Sequence, residues 1–228
     1  MSDRYVVASC RSWHQAGFQA VQARMPGEWV YVSTPDALDA AVCARPPRYV
    51  FFLHWNWRVS VALWSRIECI CFHMTDVPYG RGGSPLQNLI ESGHSTTVLT
   101  ALRMVDEMDA GPVYAKRPLS LEGRAEEIYL RAGDLCWELI DWIIREQPQP
   151  VAQQGQATHF RRRTPEQSRL PEEGGLRRVY DHIRMLDAPD YPLAFIRHGN
   201  FVLEFSHARL EDGEVSARVV IRELRNEG

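Results

Sequence analysis

The chain has 228 residues, 45% of them hydrophobic and 24% charged, with a formal net charge of −3; this fits one generous domain, or a domain with a small appendage, around a real core. A protein that grips a nucleic-acid backbone usually carries a basic excess, so no nucleic-acid partner is expected. Cys10, Cys43, Cys69, Cys71 and Cys136 are scattered through apolar segments as reduced thiols would be, no leader is visible, and no apolar run approaches the roughly 20 residues of a membrane span, so a cytoplasmic protein without membrane attachment is expected.

In chain order, "YVVAS" (5–9) reads as a buried strand and 12–25 as a helix with Phe18, Val21 and Met25 at helical spacing. "WVYVS" (29–33) is a second strand. A helix over 34–44 follows, with Thr34 as N-cap and Pro35 in the first turn. "RYVFFLHW" (48–55) is a third strand, 59–67 a short helix and "ECICFH" (68–73) a fourth strand. Continuous apolar strands alternating with helices predict a mostly parallel sheet covered on both faces, a Rossmann-like α/β fold. The first strand lacks a Gly-x-Gly-x-x-Gly turn, which argues against a dinucleotide site.

Beyond residue 73, "MTDVPYGRGGSP" is a loop by composition, 86–92 a short helix and 95–105 a Thr/Val-rich strand. The polar break "DEMDAGP" (106–112) precedes a further strand. Residues 123–147 form the strongest helix, with Ile128, Leu135, Leu139 and Trp142 on one stripe. "PQPVAQQGQ" (148–156) reads as a linker, so a catalytic domain over 1–150 and a smaller part over 151–228 are expected. The latter holds "RRR" (161–163), a helix at "LRRVYDHIRML" and two strands joined by "EDGE" as a hairpin. The hairpin's exposed edge suggests a homodimer.

In an open α/β sheet, ligands bind beyond the carboxyl ends of the strands, which here carry Cys10, His54–Trp55 and His73. Cys69, Cys71 and His73 alternate on one face of a strand and invite a metal reading. Geometry opposes it: residues two apart on a strand are roughly 6.6 Å apart. Two thiolates on tetrahedral zinc must approach within about 3.8 Å. No metal is expected, and Cys69 reads as a small buried hydrophobe. His73, at a strand end before a glycine-rich loop, can face a cleft as an acid–base group or cap the surface. Asp109, in the acidic break with Asp106 and Glu107, is the carboxylate that could orient it.

The stretch "CFHMTDVPYGRGGSPLQNLIESGHSTTVLTALRMVDEMDAGPVYAKRPLSL" resembles the signature region of the folate-dependent formyltransferases. That family's pattern runs Asn-x-His-x-Ser-x-Leu-Pro, an Arg-Gly loop, a Thr-rich strand and an acidic loop ending Asp-x-Gly. "HWNWR" (54–58), "HFRRRTPEQSRL" and "VYDHIRMLDAPDYPLAF" extend the similarity over about residues 48 to 210. The resemblance implies an N-formyltransferase that uses 10-formyltetrahydrofolate as cosubstrate and no metal. It puts His73 on the catalytic histidine and Asp109 on the catalytic aspartate. The family's asparagine falls on Cys71, a far weaker donor, with Asn56 as a candidate substitute. It further implies a folate pocket bordered by Trp55, Asn56 and Trp57 and by Val105, Asp106, Glu107 and Met108. Arg81 would reach the folate or the acceptor, Gly83 stands where the family has a second basic residue, and Met74, Thr75 and Asp76 would face the acceptor.

The short C-terminal part and the negative charge point to a small amine acceptor. An amino sugar, nucleotide-linked as in surface-polysaccharide or pseudaminic-acid-like biosynthesis, is expected. An amino acid or a carrier-bound peptide amine, or a non-catalytic folate-binding relative, are the alternatives. Arg161 to Arg163 could meet a diphosphate or form a solvated run.

Overall fold

The computed structural model describes residues 2–224. It contains two compact units. The first comprises Met1–Gly82, Val98–Leu119 and Leu130–His159, and the second Gly83–Thr97, Ser120–Tyr129 and Phe160–Gly228. Residues 148–156, which read as a linker, therefore lie inside the first unit.

The fold is α/β. The first unit is built on a six-stranded sheet in the order β2-β1-β3-β4-β6-β7, with β1 at Arg4–Ala8, β2 at Glu28–Val32, β3 at Tyr49–Phe52, β4 at Glu68–His73, β6 at Thr96–Arg103 and β7 at Val113–Ser120. The label β5 belongs to the two-residue strand Arg81–Gly82. Strands β1 to β4 pair in parallel, and every residue of β1 and β3 is buried, as central strands covered on both faces require. Helices α1 (His14–Arg24), α2 (Pro35–Ala44) and α3 (Val61–Trp64) make the connections. Thr34 caps α2 by accepting from the Ala37 N–H at 3.2 Å. Strand β3 stops at Phe52, short of the expected residue 55: Leu53 still donates to Ala8, but His54 turns to φ 50°.

Strand β6 runs antiparallel to β4, with Thr100 opposite His73 and Arg103 opposite Ile70. The chain thus leaves β6 level with the middle of β4 and must fold back to reach its carboxyl end. The long helix α5 (Ala125–Glu146) buries Ile128, Ala132, Cys136, Leu139, Ile140 and Ile143. The expected stripe is therefore corrected. Leu135 and Trp142 are only half-buried, and Trp142 lies beneath the Arg117 guanidinium, 5.6 Å from the ring centre, a cation–π contact at the helix flank.

The second unit holds α4 (Pro85–Glu91), α6 (Leu176–Arg184) and an antiparallel sheet β11-β10-β9. These strands are β9 (Ala194–His198), β10 (Phe201–Glu211) and β11 (Glu214–Glu223), while β8 is the short His159–Phe160. The expected hairpin gains a third strand, which "AFIRH" hid by alternating too little. Two buried polar side chains anchor the unit. Arg184 donates to the carbonyls of Leu121 and Gly123 at 2.6 and 2.9 Å, and Gln87 to the Tyr129 hydroxyl and Met185 carbonyl at 3.1 and 3.0 Å. Among the described residues no helix is long and apolar enough to cross a membrane.

At the carboxyl ends of β1 and β3, His14 Nε2 and His54 Nδ1 share one hydrogen bond at 2.9 Å. His14 is buried, with Gly133 and Trp137 of α5 facing it. Burial pushes His14 down to about 4, and burial followed by the His14 and Arg11 charges pushes His54 down to about 3. Both folded values lie below the unfolded one, so as pH falls the unfolded chain binds protons first. The stability is complete above about pH 6.5 and drains away below it, at up to about 1.4 kcal/mol per pH unit for each ring. The urea midpoint should therefore fall between about pH 6.5 and 4.5, and less steeply in His14→Gln. Parallel slopes in the two proteins would refute the assignment.

Candidate functional site

Three side chains meet on one face of β4 and beside it. Alternation along the strand puts Cys69, Cys71 and His73 on the same face. Cys69 is buried in the core cluster of Val6, Ala8, Val50, Phe52 and Leu63, which raises its thiol to about 12. Cys71 packs at the edge of that cluster and donates weakly to the Leu102 carbonyl at 3.8 Å; burial first, and then the Asp109 charge, raise its thiol strongly. Neither thiol is a nucleophile. Among the described residues no group of three His, Cys, Asp or Glu could hold a metal ion.

His73 is buried, and its Nε2 lies 2.8 Å from the Gly80 carbonyl oxygen. A carbonyl only accepts, so Nε2 carries the ring proton. Nδ1 faces Asp109 Oδ2 at 3.5 Å, and would carry the lone pair in a neutral ring. Two acceptors would then face one another there, and a proton taken up on Nδ1 would create an ion pair in a site nearly closed to water. Asp109 Oδ2 is itself held by the Gly82 N–H at 2.9 Å.

Asp109 reaches this place from a left-handed backbone position, φ 54°, which aspartate tolerates better than most residues. Gly111 makes the return to β7 possible: a Cβ there would stand 1.7 Å from the Arg103 carbonyl oxygen. The Asp-x-Gly spacing thus has a steric cause, because the loop must press its backbone onto the end of β6 while Asp109 points back over β4.

The segment after α5 closes the site from the other side. Val151 exchanges two backbone hydrogen bonds with Val113, both 2.8 Å. Gln153 donates to the carbonyls of Asp109 and Gly111, each at 2.8 Å. Thr158 donates its N–H to Pro78, accepts from Arg81 N–H and, through its hydroxyl oxygen, accepts from Gly80 N–H at 2.7 Å. Residues 151–158 are a strap that ties the acidic loop and the glycine loop to one another. Sequence reasoning missed Gly80, Gln153 and Thr158, since Pro and Gln content describes a linker and says nothing of its distant partners.

The other expected site residues fall in several places. Trp55 and Trp57 meet edge to face at 4.9 Å; Trp55 packs on the core, while Trp57 is 45% exposed. Val105 is half-buried and Asp106, Glu107 and Met108 are exposed. An Arg58–Asp106 ion pair at 3.6 Å brings the two predicted folate walls side by side. Asn56 is exposed and makes no hydrogen bond to Cys71, His73 or Asp109. Arg81, expected to reach a ligand, instead spends its guanidinium on Gln153 and, at 2.8 Å, on Glu107. Gly83 lies in the second unit, with room for no Cβ beside Arg162, 2.6 Å away.

Met74 and Thr75, expected to face the acceptor, lie at core positions. Both are buried, and Thr75 donates to the Gly80 carbonyl at 3.3 Å while its own carbonyl accepts from Thr100. Asp76 is exposed and pairs with Lys116. In the basic run, Arg163 is held by Glu91 and the Gln167 carbonyl, a structural role, whereas Arg161 and Arg162 are exposed.

A family model described as the methionyl-tRNA formyltransferase C-terminal domain matches residues 165–222. The solved structure titled methionyl-tRNA formyltransferase from Clostridium thermocellum is 38% identical, with a TM-score of 0.94 over 97% of this chain and 99% of that one. A methionyl-tRNA formyltransferase of Sorangium cellulosum is 29% identical over 64% of this chain and 49% of its own length; the chain spans about half the length of such curated relatives. A sugar N-formyltransferase from a Shewanella species shares the fold, with a TM-score of 0.66, 15% identity and coverage of 95% of this chain and 96% of that one. With a formyltransferase structure 38% identical and covered over nearly its whole length, the chain belongs to the formyltransferase family.

Proposed function

We propose that this protein transfers a formyl group from 10-formyltetrahydrofolate to the primary amine of a small acceptor. The observation that carries this reading is the buried His73–Asp109 pair, in which Nδ1 faces a fixed carboxylate oxygen at 3.5 Å. The exposed Trp57 ring and the exposed Met108 beside the acidic loop offer flat apolar surface suited to a pterin. When bound, the cosubstrate supplies an activated formyl carbon. The acceptor amine bonds to that carbon, the bond from the carbon to the folate nitrogen breaks, and that nitrogen takes up a proton.

The residues here would manage protons and charge. His73 Nδ1 is placed to receive the proton that the attacking amine sheds, and Asp109 stabilises the resulting imidazolium. Both N–H groups of the imidazolium would stay on Gly80 and Asp109, so His73 would meet the developing oxyanion with its positive charge rather than with a hydrogen bond. Cys71 contributes little to that oxyanion, since a thiol is a weak donor.

An amino sugar, in nucleotide-linked form, is the acceptor class we favour. The C-terminal sheet supports this: Arg197, Arg209, Arg218 and Arg222 are matched by Glu204, Glu211, Asp212, Glu214 and Glu223, and Arg222 is paired with Glu204 at 2.8 Å. Such a surface lacks the basic excess that tracks a phosphate backbone. A second reading, in which the amine is that of an aminoacyl-tRNA, is favoured by the family model over 165–222 and by the name of the 38% identical relative.

Incubation with isotopically labelled formyl-folate and a panel of nucleotide-linked amino sugars, amino acids and methionyl-tRNA should label a sugar. Label on tRNA alone would establish the second reading, and folate binding with no transfer to any amine would leave a binding protein. His73→Ala should lower turnover by about 100-fold or more while tetrahydrofolate still binds. Turnover unchanged in that variant would remove His73 from the mechanism. Cys71→Asn should raise turnover by about tenfold or more by restoring a strong oxyanion donor; a neutral or harmful effect would mean that another group already fills that role.

A further inference from the structure

Gln153 is the most fully committed side chain near the site. Its amide nitrogen gives one proton to the Asp109 carbonyl and the other to the Gly111 carbonyl, each at 2.8 Å. Its amide oxygen accepts from Arg81 Nε at 3.1 Å and from Arg81 Nη2 at 2.9 Å. This is the whole hydrogen-bonding capacity of a primary amide, two donors and two lone pairs. The bonds join three segments far apart in sequence: the strap, the acidic loop and the glycine loop.

Asp109 is thereby gripped at both ends. Gln153 holds its carbonyl, and the Gly82 N–H, one residue from Arg81, holds its carboxylate. The residue so held sits at φ 54°, a conformation that persists only where its surroundings impose it.

We propose that Gln153 is a positioning residue for formyl transfer, which keeps the Asp109 carboxylate on the Nδ1 side of His73. This rests on the reading of His73 and Asp109 given above. Gln153→Met keeps the length and removes all four hydrogen bonds. Gln153→Glu keeps the acceptor for Arg81 but turns a carboxylate oxygen toward two carbonyls. Loss of the donors is what matters here, so Glu should impair the site at least as much as Met despite its better pairing with Arg81.

Two readouts test this in the full chain. The first is hydrogen exchange of the Gly82 amide, which reports the Asp109 carboxylate without requiring any reaction. It should quicken about tenfold or more in both variants, while the Val50 and Ile70 amides of the core sheet stay as protected as in the unaltered chain. The second is kinetic: kcat should fall about tenfold or more, with KM for 10-formyltetrahydrofolate within about twofold. Unchanged Gly82 exchange, or a Gln153→Glu variant that behaves as the unaltered protein, would overturn the proposal. Quickened Gly82 exchange in a protein that formylates no amine would overturn the functional reading and leave the positioning of Asp109 standing.

Discussion

The site depends on one hydrogen bond, from His73 Nε2 to the carbonyl of Gly80. Because that carbonyl can only accept, it decides which ring nitrogen keeps its proton and which presents a lone pair. Everything else in the neighbourhood serves to keep Gly80 and Asp109 on opposite sides of the ring. Thr75 donates to the same Gly80 carbonyl, and Thr158 accepts from the Gly80 N–H, so the residue that orients His73 is itself held at both of its backbone polar atoms. Thr75 is in turn fixed through Thr100, which stands opposite His73 in the register of β4 and β6. The register of the central sheet is thus transmitted, through two threonines, to the tautomer of one histidine.

The antiparallel strand β6 is what makes the second half of the site possible. A parallel neighbour would have delivered its following loop beyond the carboxyl end of β4. Strand β6 instead releases the chain opposite Ile70, and the loop returns along the face that carries Cys71 and His73. That route explains why Asp109 influences the Cys71 thiol as well as the His73 ring. It also explains the steric demand at Gly111, where the chain must turn against the last carbonyl of β6.

Much of this was legible in the sequence, and the limits have physical causes. Strands β1 to β4 declared themselves by unbroken apolar runs, and β4 spans residues 68–73 as the sequence reading placed it. His73 and Asp109 emerged because strand ends and polar breaks are local features. The strap could not emerge, since Gln153 and Thr158 are defined by partners 42 or more residues away. Arg81 shows the same blindness in reverse. The resemblance puts it at a ligand, and its guanidinium fork here satisfies an amide and a carboxylate of its own chain. The resemblance puts Met74 and Thr75 at the acceptor, and here both are buried, Thr75 on the same Gly80 carbonyl as His73.

The thiol at Cys71 gives the strap its importance. A relative with asparagine two residues before the histidine has a neutral donor that needs no proton transfer to work. Losing one oxyanion donor typically costs about 2.7–4 kcal/mol of transition-state stabilisation. Cys71 spends its weak donor on the Leu102 carbonyl, and Asn56 makes no bond to the pair. On the proposed mechanism the developing charge must then be met by His73 after Nδ1 has gained a proton. That makes the stabilising charge conditional on the carboxylate that holds the imidazolium. An Asp109 displaced by about 1 Å would weaken proton uptake and charge stabilisation together, rather than one of them alone. On that mechanism a site without an independent donor depends on a rigid hold on its carboxylate, and here that hold is Gly82 at one end of Asp109 and Gln153 at the other.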